Sequence, residues 1–293
     1  MRPLLCSLLA IAAAQSTPPA CIGTDTFVAI NLDGAALVRS NLGGQGGRCS
    51  LLGECDEVQS ATTLHEIYIR DVGVSGDDTA IDLRITNQSE YHAWNPDLNG
   101  IKRSTGGRFG SFGAINLLGP REEDQAGYVW HTGGTFVELL FEVVGRDGSG
   151  TRALTLPRTY LTFYDFDASA TSSEVMQINP SGSPLEIMPA TSELIRASSW
   201  SALLDEPVLD ELFPTTSQRQ YLESWGTPVS RATARGVGAD NPIESYVLTQ
   251  QQVDRSVMVR FDNVSSFRVR YAIIHCCTTG APRLRILVAS DGS

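Results

Sequence analysis

The feature that most constrains this chain is a period of two. Over residues 80–86, Ile81, Leu83 and Ile85 alternate with Asp82, Arg84 and Thr86, so an extended segment has one apolar and one polar face. The pattern returns with Val137, Leu139, Phe141 and Val143 around Glu138 and Glu142, and with Val257, Val259 and Phe261 beside Ser256 and Arg260. It returns again with Phe267, Val269, Tyr271 and Ile273 beside Arg268 and Arg270, and with Leu284, Ile286 and Val288 beside Arg283 and Arg285. A helix would scatter these residues around its circumference, whereas a strand gathers them on one side. Turn formers separate the runs at 73–78, 99–100, 145–150, 262–263 and 279–282. The expected fold is all-β, an antiparallel β-sandwich of jelly-roll type. Helix is expected only over 201–213, where Leu203, Leu204, Val208, Leu209 and Leu212 share a face if Pro207 lies in the first turn or breaks the helix. Residues 195–235 read as a long, partly helical excursion between strands.

At the N-terminus, Arg2 precedes an apolar run over 4–14 that closes on Ala12, Ala13 and Ala14. This order of charge, short apolar core and small residues reads as a signal peptide over 1–14, too short to span a bilayer. The expected location is therefore secreted, extracellular or at the cell surface. Residues 15–60 read as an irregular Cys- and Gly-rich region and 61–293 as the sandwich domain. A net charge of −11 argues against a nucleic-acid partner, and no second long apolar run predicts a transmembrane anchor. Of the 6 cysteines, Cys6 falls in the signal segment. Cys21, Cys49, Cys55, Cys276 and Cys277 remain as disulfide candidates whose connectivity the sequence leaves open, and an odd count leaves one thiol free or intermolecular. Asn87-Gln-Ser89 and Asn263-Val-Ser265 are glycosylation acceptor sequons.

The residues with the most chemistry follow the strand over 160–164. Parity with Leu161 and Phe163 places Asp165 and Asp167 on the core side, which is costly unless a cation or an arginine receives them. Glu174 follows a run of hydroxyl residues, so Asp165, Asp167 and Glu174 form a candidate hard-cation site, with calcium the fitting ion outside the cell. The loop is not an EF-hand, because Ala170 and Met176 stand where the glycine and the closing glutamate belong. The alternative is an acidic loop paired to arginine. A second acidic stretch, Asn95-Pro-Asp97-Leu-Asn99-Gly100, reads better as a Pro-initiated turn, since Arg103 and Gly106 occupy later ligand positions. Asp240-Asn-Pro242 also reads as a turn.

Trp94, Trp130 and His131 lie near loop signals and are candidates for stacking on sugar rings, with core packing as the alternative. Arg260, Arg268, Arg270, Arg283 and Arg285 form an outward row that either binds an anionic polysaccharide or pairs with carboxylates such as Glu138 and Glu142. No GxSxG or HExxH motif occurs, and His65-Glu66 lacks the second histidine of a zinc protease.

The runs Leu161-Thr-Phe-Tyr-Asp-Phe-Asp167, Ser173-Glu-Val-Met-Gln-Ile178, Asp240-Asn-Pro242 and Arg255-Ser-Val-Met-Val-Arg-Phe261 resemble an uncharacterised domain of secreted or cell-surface proteins of microalgae and related protists, over roughly residues 60–275. That resemblance implies an extracellular β-sandwich and brings no known activity. The arrangement is also similar, at the level of fold, to jelly-roll carbohydrate-binding modules. The combined expectation is a secreted, calcium-stabilised β-sandwich that binds glycan or extracellular matrix in recognition or adhesion. The alternatives are a secreted polysaccharide hydrolase with carboxylates on separate strands, and a purely structural wall or matrix component.

Overall fold

The computed structural model describes residues 28–45, 64–103, 111–118, 134–147, 150–169, 172–189, 191–236, 242, 248–275 and 284–289. In chain order the strands are β1 (Ala36–Ser40), β2 (Glu66–Val74), β3 (Ala80–Asn87), β4 (Gly100–Arg103) and β5 (Ser111–Leu117). Next come β6 (Gly134–Asp147), β7 (Gly150–Ala153), β8 (Leu156–Tyr164), β9 (Ser172–Asn179), β10 (Leu185–Ile187) and β11 (Leu194–Ala197). Helices α1 (Glu206–Leu212) and α2 (Thr216–Glu223) precede β12 (Val229–Ala232). Helix α3 (Gln250–Asp254), β13 (Val257–Val264), β14 (Ser266–His275) and β15 (Leu284–Ala289) complete the series.

Two antiparallel sheets result. The larger runs β1-β2-β3-β6-β14-β9-β12-β11, with β7 also paired to β6, and the smaller runs β10-β13-β8-β15-β5-β4. The expected antiparallel β-sandwich is what forms. The period-two runs of β3, β6, β13 and β14 send their apolar sets inward: Ile81, Leu83, Ile85, Val137, Leu139, Phe141, Val269 and Ile273 from the larger sheet meet Leu161, Phe163, Val257, Val259 and Phe261 from the smaller. Phe141 meets Phe163 edge-to-face at 6.4 Å, and Phe261 stacks on Phe267 at 4.7 Å, so aromatic contacts join the layers. Burying each such side chain contributes about 1.5–3 kcal/mol.

A third layer covers part of the larger sheet's outer face. Trp200, Leu204, Leu209, Phe213 and Leu222 pack on Val175, Val229, Ala272 and Ile274. Those sheet positions are apolar on both faces because helices cover the outer one. Pro207 lies in the first turn of α1, where its missing N–H costs nothing. The helix expected over 201–213 is shorter, since 201–204 are turns. The excursion also contains α2, started by a Thr215/Gln218 capping box, and it ends in β12. Residues 36–40, within the stretch read as irregular, pair with β2 as β1.

Candidate functional site

The chain passes from the smaller sheet to the larger between Tyr164, at the end of β8, and Ser172, at the start of β9. Asp165 takes a left-handed backbone at φ 67°, a conformation Asp tolerates better than most residues. The turn breaks the alternation, so Phe166 follows Leu161 and Phe163 into the core, and the parity expected for Asp165 does not carry through. Asp165 and Asp167 are nonetheless both buried. Four backbone hydrogen bonds fix the crossing: Phe166 N–H to the Arg255 carbonyl at 3.1 Å, Ala168 N–H to Ala234 at 2.8 Å, Gly236 N–H to Ala168 at 2.9 Å and Glu174 N–H to Asp167 at 3.1 Å.

Glu174 lies on β9 with the inward parity of Met176 and Ile178, opposite Ile273 of β14. Its Oε2 accepts the Asp167 N–H at 3.3 Å, while the fully buried Oε1 has no donor. The Tyr271 hydroxyl is beside Glu174 without a well-formed hydrogen bond. The sequence-predicted trio of Asp165, Asp167 and Glu174 is therefore brought together in the sandwich interior.

Arg255, just before β13, is the cation that sequence reasoning left unidentified. Its Nη1 donates to Asp167 Oδ1 at 3.0 Å, its Nη2 to the Arg235 carbonyl at 2.8 Å, and its Nε to Glu193. Gly236 closes against the same carboxylate: a Cβ there would lie 1.8 Å from Asp167 Oδ2. Neither residue announced itself, because both approach through tertiary structure from distant parts of the chain.

The electrostatics are unbalanced. Burial raises the Glu174 carboxyl well above its ordinary range, and the Asp165 and Asp167 charges raise it further. Burial also raises Asp167, against the lowering effect of Arg255. Burial and the neighbouring Glu174 charge push the Tyr271 phenol upward. As the side chains stand, the described residues contain no group of three or more His, Cys, Asp or Glu able to hold a metal ion.

The remaining expectations land separately. Trp94 is half-buried, and the Asn95–Gly100 stretch is a turn in which the Asn95 side chain accepts the Asp97 N–H at 3.0 Å. Asn87 is engaged on both sides of its amide, accepting from Gly43 N–H at 3.1 Å and donating to the Ser89 carbonyl at 2.8 Å, whereas Asn263 is exposed. Arg260 pairs with Glu186 at 2.6 Å. Arg270 is not outward in the sense expected: it is fully buried under α2 and bound to Glu138 at 3.1 Å. Residues 1–14, Cys21, Cys49, Cys55, Cys276, Cys277, Trp130, His131, Asp240 and Asn241 lie outside the described residues, as do the side chains of Arg283 and Arg285. No helix among the described residues is long and apolar enough to cross a membrane.

No family model matches the chain, and no curated protein matches it. Two solved structures are similar at low TM-score. One is the glucan-binding protein C of Streptococcus mutans, at 8% identity and a TM-score of 0.35, covering 77% of this chain and 56% of that one. The other is the N-terminal domain of a Streptococcus gordonii adhesin, at 9% identity and a TM-score of 0.35, covering 91% of this chain and 60% of that one. The chain thus spans less than two thirds of either.

Proposed function

We propose that this chain is a secreted β-sandwich recognition module that binds glycan or matrix and takes up calcium at the Asp165, Asp167 and Glu174 cluster. The observation carrying the reading is the Glu174 carboxylate, enclosed in the interior beside the Tyr271 hydroxyl and two more carboxyl groups. The Arg255 guanidinium paired with Asp167 is shared with Glu193. A divalent cation would offset the repulsion, and hard oxygen donors suit calcium. Uptake would offset the repulsion among these carboxyl groups and fix the crossing between the sheets. The ion would serve architecture, leaving recognition to the surface.

A thermal melt of the mature, oxidised protein in calcium and in chelator, at about pH 7.5, tests this because a ligand specific to the native state raises its stability. The expected result is a higher melting temperature in calcium, with the difference shrinking towards about pH 5 as protons compete for the same oxygens. Identical melts at about pH 7.5 would overturn the ion site and leave a purely structural cluster.

A further inference from the structure

One patch beside the helical layer combines an exposed aromatic ring with a half-exposed arginine. Glu138 of β6 is almost wholly buried and receives three donors: the Tyr221 hydroxyl at 2.6 Å and Arg270 Nε at 3.1 Å on Oε2, and Arg268 Nη1 at 3.2 Å on Oε1. Arg270 lies fully enclosed between two rings, its guanidinium carbon 3.7 Å from the centre of Trp225 and 4.3 Å from that of Tyr221. Its Nη1 also donates to the Leu222 carbonyl at 2.7 Å. One face of Tyr221 is therefore laid on a buried cation and its hydroxyl is tied down, yet the residue is 51% exposed. Arg268, anchored on the same carboxylate, keeps its side chain 42% exposed. Arg268 and Arg270 share the one Glu138 carboxylate, and Arg268 is the exposed member of the pair.

We propose that this patch binds an anionic sugar, with a pyranose ring stacked on the open face of Tyr221 and its carboxylate or sulfate on Arg268. An aromatic platform with a polar rim suits a sugar ring, and holding the ring in place beforehand removes an ordering cost from binding. The exposed Arg268 guanidinium, with N–H donors beyond the one given to Glu138, favours an acidic sugar over a neutral one. The nearby Glu223 carboxylate is held by the Trp200 and Ser201 N–H groups, which fix its position. The inference rests on the glycan-binding part of the preceding reading and is independent of its calcium part.

The test is calorimetric titration of the mature protein with an oligouronate, a sulfated oligosaccharide and a neutral glucan oligosaccharide, using wild type, Tyr221→Ala, Tyr221→Phe and Arg268→Gln. Wild type should bind at least one acidic probe, more weakly as salt rises, and the neutral probe at least about tenfold less well. Tyr221→Ala and Arg268→Gln should each weaken acidic binding by about tenfold or more, while Tyr221→Phe, which keeps the ring, stays within about threefold. Cooperative melting of Arg268→Gln keeps the test decisive if Tyr221→Ala does not fold. Acidic binding unaltered by Arg268→Gln would overturn this site while leaving a recognition module. Preference for the neutral probe would overturn the ligand class. No binding of any probe would overturn the site together with the glycan part of the earlier reading, while the calcium melt would still report on the ion.

Discussion

Glu174 shows how much one atom can decide. A Glu174→Gln change removes the interior charge while keeping the shape, so it should raise the melting temperature in chelator at about pH 7.5 and abolish any calcium increment. The pH dependence follows from the same groups. Carboxyls raised on folding, as Glu174 and Asp167 are, stabilise the fold fully below their unfolded values and lose that contribution as pH rises through the folded ones. In chelator the protein should therefore become more stable on going from about pH 7.5 towards about pH 5, with wild type responding and Glu174→Gln responding less. A flat profile would show that the cluster does not titrate in that window. Gly236→Ala places a methyl against Asp167 and should cost about 1–3 kcal/mol in denaturant melts. Asp165, Asp167 and Glu174 were legible because acidic residues bracketing a short hydroxyl-rich run between two apolar strands are conspicuous, although the turn at Asp165 overrides the strand parity first expected there. Arg255 was not, since nothing local to residue 255 indicates which carboxylate it will meet.

At the scale of elements, the outer layer is the least legible part of the molecule. The period-two runs revealed β3, β6, β13 and β14, whereas β1 and β12 are too short for alternation to distinguish them from loop. Helix α2 carries a capping box but a weak apolar stripe, with Leu222 its buried residue. It is held by the sheet, through Arg270, more than by its own pattern. That is why the arginine row could not be assigned from sequence: the same alternation places Arg268 half-open and Arg270 beneath a helix. Trp200 ties the layer to the sheet through its indole N–H, which donates to Gln177 Oε1 at 2.8 Å. Trp200→Phe should cost about 1–3 kcal/mol in urea unfolding by leaving that oxygen buried and unpaired. A loss within about 0.5 kcal/mol would mean that the layer packs by apolar contact alone.

For the whole molecule, topology outweighs any single contact. The sheet's central pairing, β6 with β14, joins strands about 130 residues apart, as the Arg268–Glu138 bond shows. Non-local pairing of this kind makes refolding slow, so stopped-flow experiments should find a main phase in milliseconds to seconds or longer. A dominant microsecond phase would contradict the non-local sheet as the rate-setting structure. The alternation identified a sandwich, but the order of its strands depends on which pairings bury the most surface together, and no local pattern encodes that. One connection has a wider effect. The chain passes between sheets from β8 to β9 and again from β13 to β14, while β8 bonds to β13 and β9 to β14. Covalent and hydrogen-bonded links thus alternate around a closed circuit of four strands, with the acidic cluster on one of its two covalent corners. Such a circuit cannot be unzipped from one edge: the backbone amides of its strands should exchange with solvent together and last, after the edge strands β10 and β11 have already opened.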